Sequence, residues 1–134
     1  MSFILVDTSI WIDFFRGRSV AEPLDELIKT NRISTNDLIL AELIPSIRFR
    51  KEEKLQHLLL SIRRFDLSID WQDITNMQLL NLRSGNNHVG IPDLIIAQNA
   101  LHNDLVLFEN DKHFQAMKKI LGLDLFRQEE PSGS

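Results

Sequence analysis

The chain of 134 residues has the length of one ordinary domain, and its 43% hydrophobic and 25% charged residues argue against a largely disordered protein. Nineteen acidic and fifteen basic residues give a formal charge of -4, which excludes a surface that is basic throughout and binds polyanions everywhere. The sequence has no cysteine. Disulfide frameworks, thiolate zinc sites and cysteine nucleophiles are therefore excluded.

The apolar runs are short. The first, residues 3–6, ends at Asp7, which is too short for a signal peptide, and no run approaches the roughly 20 residues of a membrane span. We therefore expect a soluble cytoplasmic protein without membrane contact. No linker or repeat divides the chain, so we expect a single domain over residues 1–128 and a disordered tail over 129–134.

Short apolar strands alternate with helical patterns along the chain. Residues 3–6 are typical of a strand buried on both faces, and a helix is predicted over 9–16. Ser19, with Glu22 three residues later, predicts a capping box at the start of a second helix. The later pattern predicts a strand at 32–34, a helix capped by Asn36 or Asp37 and kinked or shortened by Pro45, a helix over 51–65, a strand at 66–69, helices from 71 and 91, a strand at 105–108, a helix over 114–121 and an edge strand at 123–126. This alternation predicts an α/β fold with a mainly parallel sheet.

Two acidic residues interrupt apolar segments in the first half of the chain. Asp7 directly follows the first strand, and ligands of parallel α/β sheets bind at the carboxyl ends of the strands. Asp7 is also a suitable helix N-cap. Glu42 lies in an otherwise apolar helical stretch, where a functional carboxylate and an ordinary surface residue are both consistent with the pattern.

Two further acids occupy similar positions in the second half. Asp93 lies in the first turn of a helix that Pro92 opens, where the helix dipole favours a carboxylate. Asp111 follows the strand at 105–108, although it also suits an ordinary turn. Acids converging at one sheet edge repel one another, and a hard divalent cation such as Mg²⁺ removes that conflict. Such a site suits phosphodiester cleavage by activated water.

The same residues resemble the motifs of a known family. Residues 6–17 resemble the opening of PIN-domain proteins of the VapC toxin type, and three later segments resemble the further motifs of that family in the same order: Ala41-Glu42-Leu43, Pro92-Asp93-Leu94-Ile95-Ile96-Ala97 and Asn110-Asp111-Lys112-His113-Phe114. The resemblance implies a three-layer fold, with a small parallel sheet between helices. It also implies a Mg²⁺- or Mn²⁺-dependent endoribonuclease that acts as the toxin of a type II toxin–antitoxin pair.

The resemblance assigns roles to individual residues. It makes Asp7 and Asp93 direct metal ligands, and Glu42 and Asp111 ligands either directly or through water. Ser9, and less so Thr8, would support the first acid. Family members often have Thr or Ser where this chain has Glu109, so that either Glu109 or Asp111 is the fourth acid.

Candidate contacts for RNA or an antitoxin are basic. One segment concentrates positive charge, which suits a nucleic-acid backbone or an acidic partner but also suits a solvated helix face. Its residues are Arg48, Arg50, Lys51 and Lys54, followed by Arg63 and Arg64, and Arg16 and Arg18 are second candidates. The aromatic residues Trp11, Phe14 and Phe15 fit either the core or an antitoxin groove. The four histidines have no zinc-ligand spacing and are expected to be ordinary residues.

The partners implied by the resemblance are a VapB-type antitoxin, RNA and a second copy of the chain. Two other functions remain open at this point. One is a binding module that acts mainly in an antitoxin–DNA autorepression complex, and the other is a metal-dependent DNA nuclease or phosphatase that uses the same acids.

Overall fold

A computed structural model describes residues 2–127. Its strands are β1 (Ile4–Val6), β2 (Ile33–Thr35), β3 (Arg63–Arg64) and β4 (Val106–Phe108). They form one sheet in the order β3-β2-β1-β4, in which every neighbouring pair is parallel. Every residue of β1 and β2 is buried, as expected for strands covered on both faces. The predicted three-layer α/β architecture is confirmed.

Six of the seven helices in the described part of the chain belong to two packed groups. The helices are α1 (Thr8–Phe15), α2 (Pro23–Lys29), α3 (Asp37–Phe49), α4 (Glu53–Ser61), α5 (Trp71–Arg83), α6 (Ile91–His102) and α7 (Lys112–Leu121), with a 3-10 turn at Ser19–Ala21. Helix α3 packs on α1 and α4, whereas α5, α6 and α7 pack on one another and α6 also contacts β4. Within the described residues, no helix is long and apolar enough to cross a membrane.

Polar side chains at the strand ends start the helices that follow. Asn36 Oδ1 accepts a hydrogen bond of 3.0 Å from Ile39 N and caps α3, and Asp7 and Asp111 cap α1 and α7 in the same way. Helix α3 continues past Pro45 to Phe49, so of the two predicted effects of Pro45, a kink or a shorter helix, the shortening does not occur.

The edge of the sheet differs from the prediction. Instead of one helix over 51–65, α4 ends at Ser61 and the chain turns into β3, whose neighbour Phe65 donates its N–H to Thr35 O at 2.9 Å. Residues 66–69 form no strand. The helical spacing of the apolar residues extends past Ser61, but pairing with β2 decides the conformation there. Local pattern carries no information about that partner.

Two smaller predictions also need correction. Ser19 begins a 3-10 turn rather than a capped helix, and α2 begins at Pro23 after Glu22, which makes no side-chain capping bond. Proline suits this first helical position because it lacks the N–H that would be left unpaired. The predicted edge strand at 123–126 is reduced to one bridge between Leu107 and Leu125. The tail predicted over 129–134 lies outside the described residues.

Candidate active site

The carboxyl end of β1 positions the first acid. Asp7 donates its backbone N–H to Phe108 O of β4 at 2.9 Å, and its Oδ2 accepts hydrogen bonds from Ser9 N at 3.2 Å and Ser9 Oγ at 2.7 Å. Asp7 is only 4% exposed. Burial raises the pKa of the Asp7 carboxyl, the bonds from Ser9 oppose the shift, and the nearby Glu42 carboxylate adds to it.

Glu42 lies on the neighbouring helix α3. Its side chain is exposed although the surrounding stretch is apolar, and its Oε1 accepts a hydrogen bond of 2.9 Å from Thr8 Oγ1. The two hydroxyl residues that follow Asp7 therefore contact different acids, Ser9 the first and Thr8 the second. This arrangement places Glu42 at the solvent side of the site.

The other two predicted acids meet a histidine. Asp93 lies in the first turn of α6, and Asp111 precedes α7 as its N-cap. His113 Nδ1 lies 3.3 Å from Asp93 Oδ2 and 3.2 Å from Asp111 Oδ1. One possible ligand atom from each of the three residues lies within 4.8 Å of the other two. The starts of two helices thus create a compact group of metal-ligating atoms.

The electrostatics of this group favour a cation. The pKa of Asp93 is raised to about 6, first by burial and then by the carboxylates of Asp111 and Asp7, while His113 opposes the shift. The predicted repulsion between acids therefore operates, but removal from water is the larger cause. A divalent cation would offset both effects.

Glu109 supports the loop that carries the fourth acid. Its Oε2 accepts a hydrogen bond of 2.6 Å from Asp111 N. Burial raises the pKa of Glu109, hydrogen bonds from Asp111 and Gln115 oppose this, and the carboxylates of Asp7 and Asp111 add to it. Asp111, and not Glu109, contributes to the compact ligand group.

The donor set suits a hard divalent ion. Carboxylate oxygens are the ligands that Mg²⁺ and Mn²⁺ prefer, and one imidazole nitrogen is compatible with a first-row transition ion. Asp93, Asp111 and His113 have the spacing to share one ion. Asp7 lies close enough for its carboxylate to raise the pKa of Asp93. The residues present therefore fit a metal centre.

The basic candidates lie in three different surroundings. Arg16 and Arg50 line a groove between α1 and α3 that also contains Glu42, the apolar side chains of Ile12, Phe15, Leu43 and Ile47, and the polar Ser46 and Glu52. Arg48 near the end of α3, Lys51 between the two helices and Lys54 at the start of α4 are exposed. Arg18 contacts Asp13 at 3.3 Å. Trp11 is fully buried in the core, whereas Phe15 belongs to the groove.

Two residues of this region escaped the sequence analysis. His113 was expected to be ordinary, but the spacing Asp-x-His at a helix start places its ring beside Asp111, and that spacing was a usable signal. Asp13 is a buried acid of α1 that accepts a hydrogen bond of 2.9 Å from Asn110 Nδ2. Its partner is 97 residues further along the chain, so no local pattern indicates it.

A parallel α/β sheet with acids gathered at the carboxyl edge defines a class of proteins with a candidate metal-dependent site. Within that class, residues 4–120 match the family model of the PIN domain. This chain belongs to the PIN domain family, as the motifs suggested. Among curated proteins, none matches the chain in sequence.

Solved structures share the fold over nearly the whole chain. VapBC2 from Rickettsia felis, bound to a DNA fragment from its promoter, matches with a TM-score of 0.72 and 21% identity, covering 95% of this chain and 99% of that one. DNA-bound VapBC from Salmonella typhimurium matches with a TM-score of 0.71 and 19% identity, covering 94% and 98%. FitAcB from Neisseria gonorrhoeae matches with a TM-score of 0.72 and 19% identity, covering 93% and 97%.

Proposed function

We propose that this protein is a metal-dependent endoribonuclease and the toxin of a type II, VapBC-type toxin–antitoxin system. The convergence of Asp93, Asp111 and His113 beside Asp7 carries the proposal, because it concentrates ligand atoms and partly buried negative charge at the edge where α/β ligands bind. PIN domains are generally nucleases that use divalent metals. The likeness to VapBC structures supports the toxin role.

The side chains divide the chemistry between them. Asp7, Asp93 and Asp111 would hold Mg²⁺ or Mn²⁺, with His113 beside them. The chemistry that such an ion supplies when bound is activation of water and stabilisation of the departing oxygen. Ser9 holds Asp7 Oδ2 in place through two hydrogen bonds. Glu42 is exposed and accepts a hydrogen bond from Thr8 at one oxygen, and its proposed role is to orient an incoming water.

The direct test compares substrates and metals. Purified protein is incubated with labelled RNA, single-stranded DNA and a phosphomonoester, each with Mg²⁺, Mn²⁺ or EDTA. We expect cleavage of RNA alone, dependent on metal and lost in Asp93→Asn. Asp25→Asn is the matched control, since Asp25 is an exposed acid in the first turn of α2. Cleavage in EDTA, or undiminished cleavage by Asp93→Asn, would contradict the proposal. Cleavage of DNA or the monoester instead of RNA would support a DNA nuclease or a phosphatase.

The toxin role has its own observation and test. The groove between α1 and α3 combines apolar side chains with Arg16 and Arg50 and reaches Glu42, which suits a partner segment that has apolar and acidic residues and ends in an arginine. Induction of the protein in a bacterial host should arrest growth, and Asp93→Asn should not. Co-expression of a small neighbouring antitoxin reading frame should restore growth. Normal growth after strong induction of soluble protein would argue against a toxin.

The proposed docking face for a second copy of the chain lies on α5. Trp71, Leu79 and Leu82 expose 60%, 43% and 53% of their surface along one side of this helix. Light scattering should give twice the 15.6 kDa mass, and Leu82→Lys should halve it, whereas Leu60→Lys on α4, 46% exposed, should not. A monomeric wild type would refute the dimer.

A further inference from the structure

Helix α1 contains a second buried acid that the proposed chemistry does not use. Asp13 is 5% exposed, and the side chain lies one helical turn after Ser9. Its Oδ1 lies 3.3 Å from Arg18 Nη1, and its backbone oxygen accepts a bond of 2.9 Å from Arg18 N. Gly17 adopts a φ of 68°, which turns the chain so that Arg18 returns to Asp13. The carboxylate is thus buried with a cation at one oxygen.

The other oxygen of Asp13 reaches the loop that carries the fourth acid. Asp13 Oδ2 accepts a hydrogen bond of 2.9 Å from Asn110 Nδ2. The backbone N–H of Asn110 donates to Ser9 Oγ at 3.1 Å, and Ser9 Oγ donates in turn to Asp7 Oδ2 at 2.7 Å. A continuous hydrogen-bonded path therefore joins Asp13 to the acid at the end of β1.

Asn110 connects helix α1 to the loop that carries Asp111. It lies between Glu109 and Asp111, and Glu109 in turn holds Asp111 N at 2.6 Å. Two bonds to α1, one from the Asn110 side chain and one from its backbone, clamp the loop against the helix. Because Ser9 and Asp13 lie on the same face of α1, both bonds reach the same asparagine.

We propose that Asp13 is a positioning residue of the metal centre: through Asn110 it fixes Asp111 and the hydroxyl of Ser9 relative to Asp7. This inference rests on the proposed metal-dependent function. Arg18 compensates the charge of Asp13. Asp13 can therefore hold Asn110 without adding another unpaired negative charge near Asp7, Asp93 and Asp111. Groups that orient metal ligands from behind generally contribute 10- to 100-fold to metal affinity.

The test measures Mn²⁺ affinity by calorimetry and the RNA cleavage constants kcat and KM in the same preparations. We expect Asp13→Ala and Asn110→Ala each to weaken Mn²⁺ binding roughly 10-fold and to lower kcat at unchanged KM. The double variant should lose no more than either single variant, because one bond connects the two side chains. Asp13→Asn keeps an acceptor for Asn110 and should recover most of the affinity.

The controls separate positioning from folding and from the proposed function. Asn110 is exposed, so Asn110→Ala should stay folded even if Asp13→Ala does not. Asp25→Ala on α2 should match the wild type. If the wild type binds Mn²⁺ and cleaves RNA while folded Asn110→Ala equals it in both, the positioning role is refuted and the function stands. A wild type that neither binds Mn²⁺ nor cleaves RNA refutes both.

Discussion

Asp7 and Asp13 are two buried acids at the two ends of one helix, and their surroundings differ. Asp13 has a guanidinium at one oxygen and an amide at the other. The Asp7 carboxylate has hydrogen bonds from Ser9 and the Thr8 backbone but no cationic side chain among the described residues, and the acids Glu42, Glu109 and Asp93 lie nearby. A buried charge needs compensation. The compensation at Asp13 is supplied by the chain, whereas under the proposed function the compensation at Asp7 is supplied by a bound cation.

The largest expected effect on RNA cleavage comes from removing the charge of Asp7, which has no cationic side chain beside it within the described part of the chain. Asp7→Asn preserves the shape of the side chain and its ability to accept from Ser9, but it removes an anionic ligand. RNA cleavage should fall by more than about a hundredfold, beyond the usual effect of residues that only support a ligand. Initial rates at saturating Mn²⁺ measure this. A loss below tenfold would show that the difference between Asp7 and Asp13 has no catalytic meaning.

Because the acids near Asp7 repel one another when no metal is bound, removing one of these charges should stabilise the metal-free protein. The folded-state pKa of Asp93, about 6, lies above its ordinary value of 3.8, so the folded protein loses stability as the pH rises through this window. In EDTA at pH 7.5, Asp93→Asn should stabilise the protein by roughly 1 kcal/mol, after allowance for solvent screening. At pH 4 the gain should largely disappear. Urea unfolding at the two pH values measures both, and destabilisation at pH 7.5 would contradict the account.

Removing the guanidinium of Arg18, which compensates Asp13, should instead destabilise the protein. Arg18→Ala leaves Asp13 buried with Asn110 alone and should destabilise the protein by about 1 kcal/mol, a modest value because the Arg18 side chain is 59% exposed. Arg83→Ala, at the exposed end of α5, is the control and should change little. Thermal unfolding in EDTA compares them. Equal stability of Arg18→Ala and the wild type would mean that Asp13 needs no cation.

The smallest effect on RNA cleavage is expected from the hydrogen bond between Thr8 and Glu42, at the solvent side of the site. Thr8→Val removes the donor to Glu42 Oε1 but keeps the shape of the side chain. Since both groups are accessible to water, RNA cleavage should fall only about two- to fivefold, and stability should stay within about 0.5 kcal/mol. Cleavage rates and urea unfolding check this. A loss as large as that of Asp7→Asn would place Glu42 at the centre of the site.

The sequence allowed prediction of the parts that local pattern determines. The apolar run of β1 and the acid after it, and Pro92 before Asp93, mark strand and helix ends. β3 was missed because its partner β2 lies far away in the chain, and the ring of His113 reaches Asp93 only after α6 and α7 pack together. Asp13 lies among aromatic residues within α1, and its role depends on Asn110 in a distant loop.

The most direct test of the cation site is a crystal grown with MnCl₂ and measured at a wavelength where manganese scatters anomalously. We expect one anomalous peak among the carboxylates of Asp7, Asp93 and Asp111, beside His113, and we expect this peak to be lost in Asp93→Asn. If these carboxylates are ordered but show no peak at saturating Mn²⁺, or if the peak persists unchanged in Asp93→Asn, the proposed cation site is contradicted.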